Sequence, residues 1–493
     1  MKFVFNDKAF LCLLSVALFM TNISAQQIPG KPVTITGRII YSDKSTPKVI
    51  KVNFCHPLKS YSKSVRLNEN GAFSVQEEMI FTQNMTVQFD DFFINLYVQP
   101  GDSVHLTIDA SLPRKANFGW LTITGDDAAL SSQLNKCVNY LYKLPHAKYD
   151  LTTSPENMLQ QIKKSYGRYM DSLEKYASAN TPDPAVTAWA RNDIRYIVSQ
   201  QIDGYVDINS ITSADQQDRI RIFADEFFDI HNAANFRSMM FPVHLGNYVY
   251  LITRTDTAFS RLLKEGRLQD ATRRGVAILL REPSTPCRDL MIYRFISSLT
   301  GKTPALLDSL ENMESFFTQP LYAVYLKNEV NRKRYPVFPK ISLTGVSYLT
   351  SSGEAASLPA RDIFGYLAEK YPGEVIYIDV YATWCGPCRA EFKQTPALHK
   401  AFEQKDVVFV NLCLSSDMAV WKKMVKEQDL HGENYFFDRD AGQLFMGTYD
   451  LPGYPSYILV NKEGKIVTNS APRPSEGDRT IGAIEQLLKG GKG

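Results

Sequence analysis

The chain lacks a charge surplus of either sign: 55 Lys and Arg stand against 52 Asp and Glu, a formal net charge of +3 over 493 residues. A nucleic-acid binder needs basic residues in excess and gathered on one face, so no nucleic-acid partner is expected. The one dense basic run, Arg332-Lys333-Arg334, follows the apolar residues Leu321, Val324 and Tyr325 and reads as cations closing a helix C-terminus. Long apolar runs are missing after the N-terminus. A spanning helix needs about 20 such residues, so no transmembrane segment is expected in the mature chain. Internal repeats and low-complexity tracts are also lacking. Histidine is scarce, at 7. His56 and His105 are isolated, and His231 and His244 have no second ligand at helical spacing, so no metal and no other cofactor is expected. Cysteine is equally sparse. Cys55, Cys137, Cys287 and Cys413 show neither metal-ligand nor disulfide-framework spacing and read as small buried hydrophobes. A Cys137–Cys287 bridge stays open if the compartment is oxidising.

The N-terminus supplies a first positive signal. Lys2 and Lys8 precede an apolar run over residues 10–20, and Ile23-Ser24-Ala25 follows with a small residue at its end. That is the order of a secretory signal, with cleavage expected after Ala25 and the mature chain expected in the periplasm or cell envelope. Cys12 lies inside the run and would leave with it.

Three compositional regimes follow. From Val33 to Asp109 the pattern alternates in short segments, among them Val33-Thr34-Ile35-Thr36-Gly37, Val65-Arg66-Leu67, Phe73-Ser74-Val75, Met85-Thr86-Val87-Gln88-Phe89 and Val104-His105-Leu106-Thr107-Ile108. Asn68-Glu69-Asn70-Gly71 and Gln99-Pro100-Gly101-Asp102 supply turns, so residues 26–125 are expected to form an antiparallel β-rich, sandwich-like domain. Residues 126–336 change period. Met158, Ile162, Tyr166, Tyr169, Leu173 and Tyr176 recur at steps of three and four, one face of a helix. Ser154-Pro155 and Thr303-Pro304 read as helix starts, and Ser213 with Gln216 has capping-box spacing. This middle domain is expected to be all-helical. From 337 to 493 strands and helices alternate. Ser351-Ser352-Gly353 marks an opening hairpin, residues 375–381 a continuous apolar strand, residues 407–410 a second strand, and residues 457–467 a terminal hairpin before a closing helix. The expectation is an α/β sandwich.

The chemistry is concentrated where the apolar strand runs through Ala382-Thr383-Trp384 into Cys385-Gly386-Pro387-Cys388. A long helical pattern follows, carried by Phe392, Leu398 and Phe402. Two cysteines separated by two residues can close a small disulfide ring at the start of a helix. The first thiol then lies where unpaired N–H groups and the dipole favour an anion. A free thiol near pKa 8.5 is a few per cent thiolate at neutral pH; lowering it to about 7 takes roughly 2 kcal/mol of differential stabilisation. Asp379 stands in the middle of the apolar strand. A charge there incurs several kcal/mol of desolvation, so its pKa is expected to rise, unless the side chain reaches a strand end or a cap. A lone Cys-x-x-Cys could be half a zinc site, but no second Cys or His pair has ligand spacing.

The run from Ile378 to Cys388 resembles the active-site segment of thioredoxins, and more closely that of the TlpA-like exported thioredoxins. Gly453-Tyr454-Pro455-Ser456 is similar to the family's cis-proline loop, and the resemblance covers about the last 155 residues. It implies a thioredoxin fold over 337–493 and a thiol–disulfide oxidoreductase. Cys385 would attack, Cys388 would resolve the mixed disulfide, and Asp379 would shuttle the Cys388 proton. Pro455 would face the dithiol in a cis peptide. Trp384, Tyr454, Gly386 and Pro387 would meet the substrate. The Gly-Pro pair resembles that of the reducing thioredoxins, so the implied partners are disulfide-containing envelope proteins and a membrane electron donor. Maintenance of apocytochrome haem-binding cysteines is one implied task and general thiol repair another. The strand around Asn411 and Cys413 departs from the family by lacking the lysine that ordinary thioredoxins place near the buried acid. Cys413 reads as a spectator or a third redox thiol. A peroxiredoxin reading fails because Thr383 lies two residues, not three, before Cys385; a copper-chaperone reading fails on cysteine spacing. A disulfide isomerase and an envelope binding or scaffold protein remain as alternatives.

Overall fold

The computed structural model describes residues 30–490, apart from 44–45, 59, 115–117, 146, 208, 301–302 and 311. The expected signal segment, residues 1–25, lies outside them. By internal packing the chain sorts into two units, one of residues 206–233 and 245–334, the other of 32–205, 234–244 and 335–490.

The second unit begins with eight strands: β1 (Lys31–Ile40), β2 (Val49–Cys55), β3 (Ser60–Arg66), β4 (Ala72–Met79), β5 (Gln83–Phe89), β6 (Phe92–Val98), β7 (Ser103–Asp109) and β8 (Leu121–Gly125). They form two sheets, ordered β4-β1-β7-β8 and β3-β2-β5-β6. Alternate residues of both sheets, such as Val104, Leu106 and Ile108 of β7 and Val52 and Phe54 of β2, share one apolar core. The sandwich is therefore present, but it is not wholly antiparallel. β1 pairs with β7 in parallel, Thr34 opposite Ser103 through Ile40 opposite Asp109. Five strands separate these two in sequence, so no hairpin dictates their relative direction.

Helices α1 (Ala128–Leu141), α2 (Pro155–Asn180) and α3 (Pro184–Ile197) follow in the same unit. Ser154 caps α2 by accepting from the Asn157 N–H, with Pro155 at the first helical position. Met158, Ile162, Tyr169, Leu173 and Tyr176 are buried as the spacing predicts, while Ser165 replaces the half-exposed Tyr166 in the seam. The first unit is helical: α4 (Ala214–Arg221), most of α5 (Phe241–Thr255), α6 (Thr257–Lys264), α7 (Leu268–Leu279), α8 (Pro286–Thr300) and α9 (Pro320–Arg334). Two local expectations change here. Ser213 does cap α4, but the Gln216 amide accepts from the Asp207 N–H, so only half of a capping box forms. Thr303-Pro304 opens a six-residue 3₁₀ turn, Pro304–Ser309, rather than an α-helix, because Leu310 turns to extended backbone. Arg332, Lys333 and Arg334 do close α9. Cys137 and Cys287 are both buried free thiols.

The C-terminal domain is built on seven strands: β9 (Val346–Leu349), β10 (Ala355–Ser357), β11 (Val375–Tyr381), β12 (Val407–Cys413), β13 (Glu433–Phe437), β14 (Ser456–Val460) and β15 (Ile466–Thr468). Their order is β10-β9-β13-β12-β11-β14-β15, with β11 parallel to β12 and antiparallel to β14. Every residue of β11 is buried, as a strand covered on both faces requires. Helices α10 (Ile363–Lys370), α11 (Gly386–Phe392), α12 (Thr395–Ala401), α13 (Met418–Glu427), α14 (Arg439–Thr448) and α15 (Asp478–Leu488) surround it. Ile376, Ile378 and Val380 pack with α10 and α14. Tyr377 packs on the other side with Leu398, Phe402, Ile484 and Leu487. The long helix expected after Cys388 is broken between α11 and α12. Pro396, at the start of α12, has no N–H to give the Phe392 carbonyl. The broad class thus holds: β-rich front, helical middle, α/β C-terminal domain.

Candidate active site

β11 delivers the chain to a short turn, and Cys385 caps α11. Its Sγ accepts from the Cys388 N–H at 3.1 Å, the sulfur taking the N-cap place of a serine hydroxyl. Cys385 and Cys388 are joined in a disulfide. Cys385 is 3% exposed and Cys388 0%; both belong to one apolar cluster with Tyr381, Phe392, Cys413 and Trp421. Gly386 and Pro387 are exposed between them. The thiol at the edge of solvent is therefore Cys385, and the one inside is Cys388.

Two further loops meet this turn. The Tyr454–Pro455 peptide bond is cis, and Pro455 is buried. Trp384, 65% exposed, stands edge-on to Tyr454 with ring centroids 5.7 Å apart. The loop after β12 ties both down. The Trp384 Nε1–H donates to the Ser415 carbonyl at 2.8 Å, and the Ser415 and Tyr454 hydroxyls share a hydrogen bond of 2.8 Å. Ser416 accepts from the Thr383 N–H at 2.9 Å, and Arg389 donates to the Thr383 carbonyl at 2.7 Å.

Asp379 lies two residues before Tyr381 on the same face of β11, opposite Tyr457 on β14 and Asn411 on β12. Burial pushes its carboxyl up to about 8; the Tyr457 hydroxyl pulls the other way, and the Glu391 charge adds to the rise. Among the described residues its Oδ1 meets no hydrogen-bond partner. Glu391, buried one turn beyond Cys388, accepts from the Ser475 N–H at 2.9 Å and the Ser475 hydroxyl at 2.8 Å. Asn411 donates to the His431 carbonyl and to Asn434 Oδ1. Burial pushes the Cys413 thiol up to about 11, which leaves it protonated at neutral pH and favours the spectator role. No group of three or more His, Cys, Asp or Glu side chains among the described residues is placed to hold a metal ion.

This arrangement can be set against known proteins. Residues 365–488 match the Redoxin family. A thiol-disulfide oxidoreductase ResA of Bacillus cereus is 28% identical over 116 residues, 23% of this chain and 65% of that protein, just under two thirds of its length. The ResA of Bacillus subtilis is 26% identical over 125 residues, 25% of this chain and 68% of its own. A Bacteroides vulgatus protein of known solution structure is 30% identical, matching 31% of this chain and 92% of its own, at a TM-score of 0.25. Over this stretch the C-terminal region is therefore similar to the Redoxin family and to these thiol-disulfide oxidoreductases.

In this thioredoxin-like domain Trp384, Cys385, Gly386, Pro387 and Cys388 sit on one turn, Tyr454 reaches them through Trp384, and Asp379 lies on the strand that feeds the turn. His56 and His105 belong to the β-sandwich. The His56 Nδ1 accepts from the Leu58 N–H, and the His105 Nδ1 pairs with the Thr36 hydroxyl. Sequence reading missed Glu391, Ser415 and Ser416. Glu391 did carry a signal: an acid three residues after Cys388 must share its helix face and point inward with it. The two serines carried none, because their partners come from other loops.

Proposed function

We propose that the chain is an exported thiol–disulfide oxidoreductase that reduces disulfides in envelope proteins. The carrying observation is the Cys385–Cys388 pair at the N-terminus of α11, with a buried acid of raised pKa on the strand beneath. The Cys385 thiolate attacks one client sulfur, and the electron pair of the client S–S bond leaves with the other sulfur, which takes a proton. Cys388, its proton taken by Asp379, then attacks Cys385 Sγ. The second client sulfur leaves and is protonated. Two electrons pass to the client, and the chain ends in its disulfide form, to be restored by a membrane dithiol donor. Pro455 would face the dithiol, where an extended client backbone would pair, and Trp384, Tyr454, Gly386 and Pro387 would form the surface that meets it. Residues 26–125 and 126–336 act as the modules that carry this domain in the envelope. No helix among the described residues is long and apolar enough to cross a membrane.

Cys388→Ala tests this reading. In an envelope extract it should trap mixed disulfides that vanish when Cys385 is also replaced. A dithiol inert to both reductant and oxidant, with no adducts, would leave a binding module on a thioredoxin scaffold.

A further inference from the structure

The two aromatic residues at the dithiol each precede a key position, Trp384 before Cys385 and Tyr454 before Pro455, and they come from separate loops. A single residue of a third loop holds both. Ser415 takes the Trp384 indole N–H on its carbonyl and the Tyr454 hydroxyl on its side chain, each at 2.8 Å. Ser415 itself is held in the left-handed region, φ 50°, a conformation that is costly for a non-glycine residue and persists only where the surroundings impose it. Its neighbour Ser416 fastens the same loop to Thr383. The indole's single donor is spent on the Ser415 carbonyl, and the Tyr454 hydroxyl is turned to the exposed Ser415 hydroxyl. What the site shows a client is ring surface: Trp384 is 65% exposed and Tyr454 half-exposed beside it, their centroids 5.7 Å apart.

We propose that Ser415 is the positioning residue of an aromatic wall that selects clients carrying an apolar or aromatic side chain next to the reactive cysteine. The role presupposes the dithiol exchange proposed above and adds to it the class of client. A fixed wall that is mainly ring surface and carries no charge of its own rewards an apolar neighbour and gives a charged one no ion to pair with. Ser415 acts through Trp384 and Tyr454; it has no part in the sulfur chemistry.

The test uses two peptides with the same intramolecular disulfide, differing only in having Phe or Asp beside the first cysteine. Wild type is expected to favour the Phe peptide in kcat/KM by about tenfold. Ser415→Ala and Tyr454→Phe should each reduce that preference to about threefold through a higher KM, with kcat little changed. The double variant should be no worse than either single, because both remove one hydrogen bond. An absent preference in wild type, an unchanged one in both variants, or single effects that multiply in the double would each overturn the proposal. Should wild type open with dithiothreitol yet reduce neither peptide, it is the oxidoreductase reading that falls. Calorimetric affinities for the same peptides with serine in place of cysteine then decide the wall by the same ratio.

Discussion

The helical unit and the C-terminal domain each bury an acid, and the two acids shift in opposite directions. Glu329 of α9 accepts from the Tyr293 hydroxyl at 2.7 Å and the Ser297 hydroxyl at 2.9 Å, and pairs with Lys333 at 3.0 Å. Burial alone would raise its pKa; the Tyr293 bond, Lys333 and Ser297 outweigh it and hold the carboxyl below the usual range. Asp379 has the Tyr457 hydroxyl opposed by burial and by the Glu391 charge, one oxygen bare, and a pKa pushed up to about 8. A saturated buried acid is a structural tie. An unsaturated one is kept able to exchange a proton near neutrality, at a cost in stability that the fold carries elsewhere.

The largest expected break of that contrast is Asp379→Asn. A carboxyl whose folded pKa is raised binds more protons in the native than in the unfolded state. Stability therefore falls as pH rises from about 4 to about 8, and the loss is complete above the folded value. The asparagine variant escapes it. Its urea midpoint should match wild type near pH 4 and exceed it increasingly up to pH 8.5, by a gain on the order of 5 kcal/mol if the whole shift is realised. Resolution of the mixed disulfide should meanwhile slow by about a hundredfold. In wild type that step should quicken as pH rises through about 8, because only the carboxylate can take the Cys388 proton; in the variant the profile should lose this rise. Stopped-flow release of a fluorescent client reads it. A variant with unaltered pH profiles would demote Asp379 to a structural residue.

The contrast also explains what could be seen in advance. An acid inside a run of apolar strand residues is conspicuous, because each neighbour announces burial, and the Cys-x-x-Cys with the later Pro455 needs no tertiary information to be noticed. Glu329 stands in a helix whose pattern already mixes charged and apolar residues, so nothing distinguished it from a solvated glutamate. β6 was missed although Ile94, Leu96 and Val98 alternate inward, because Phe93 and Tyr97 place apolar side chains on the opposite face as well. The parallel pairing of β1 with β7 and the loop that brings Ser415 to Tyr454 are settled by long-range packing, for which local periodicity holds no trace.

Glu329→Ala is the converse experiment, and its effect should be somewhat smaller. Removing the acid strands the Tyr293 hydroxyl in the interior and unpairs the exposed Lys333, with an expected loss of about 3 kcal/mol in denaturant, and leaves client reduction per folded molecule unchanged. The pH signature is opposite to that of Asp379. A depressed carboxyl contributes stability that is present above its unfolded pKa and lost as pH falls through the folded one. The gap between wild type and Glu329→Ala should therefore close on acidification. A loss of turnover beyond the unfolded fraction would mean that the helical unit takes part in the chemistry after all.

The smallest effect sharpens the comparison with a neutral group. β6 is an edge strand of the sandwich, and its free groups are met by α1: Asn135 accepts from the Asn95 N–H and donates to the Asn95 carbonyl, both at 2.8 Å, while Ser131 accepts from the Tyr97 N–H at 3.0 Å. Here too every arm of a buried polar side chain is occupied, since the Asn135 amide also donates to the Ser131 carbonyl at 2.8 Å. Asn135→Ala should cost about 2 kcal/mol, less than loss of the buried charge, because the bonds it removes are between neutral groups whereas those to Glu329 are charge-assisted. It should also bare a pairing edge, so the variant is expected to self-associate with rising concentration in sedimentation runs where wild type does not. A stable, non-associating variant would show that α1 covers β6 by packing alone, and that saturation by hydrogen bonds is not what marks the structural polar groups of this chain.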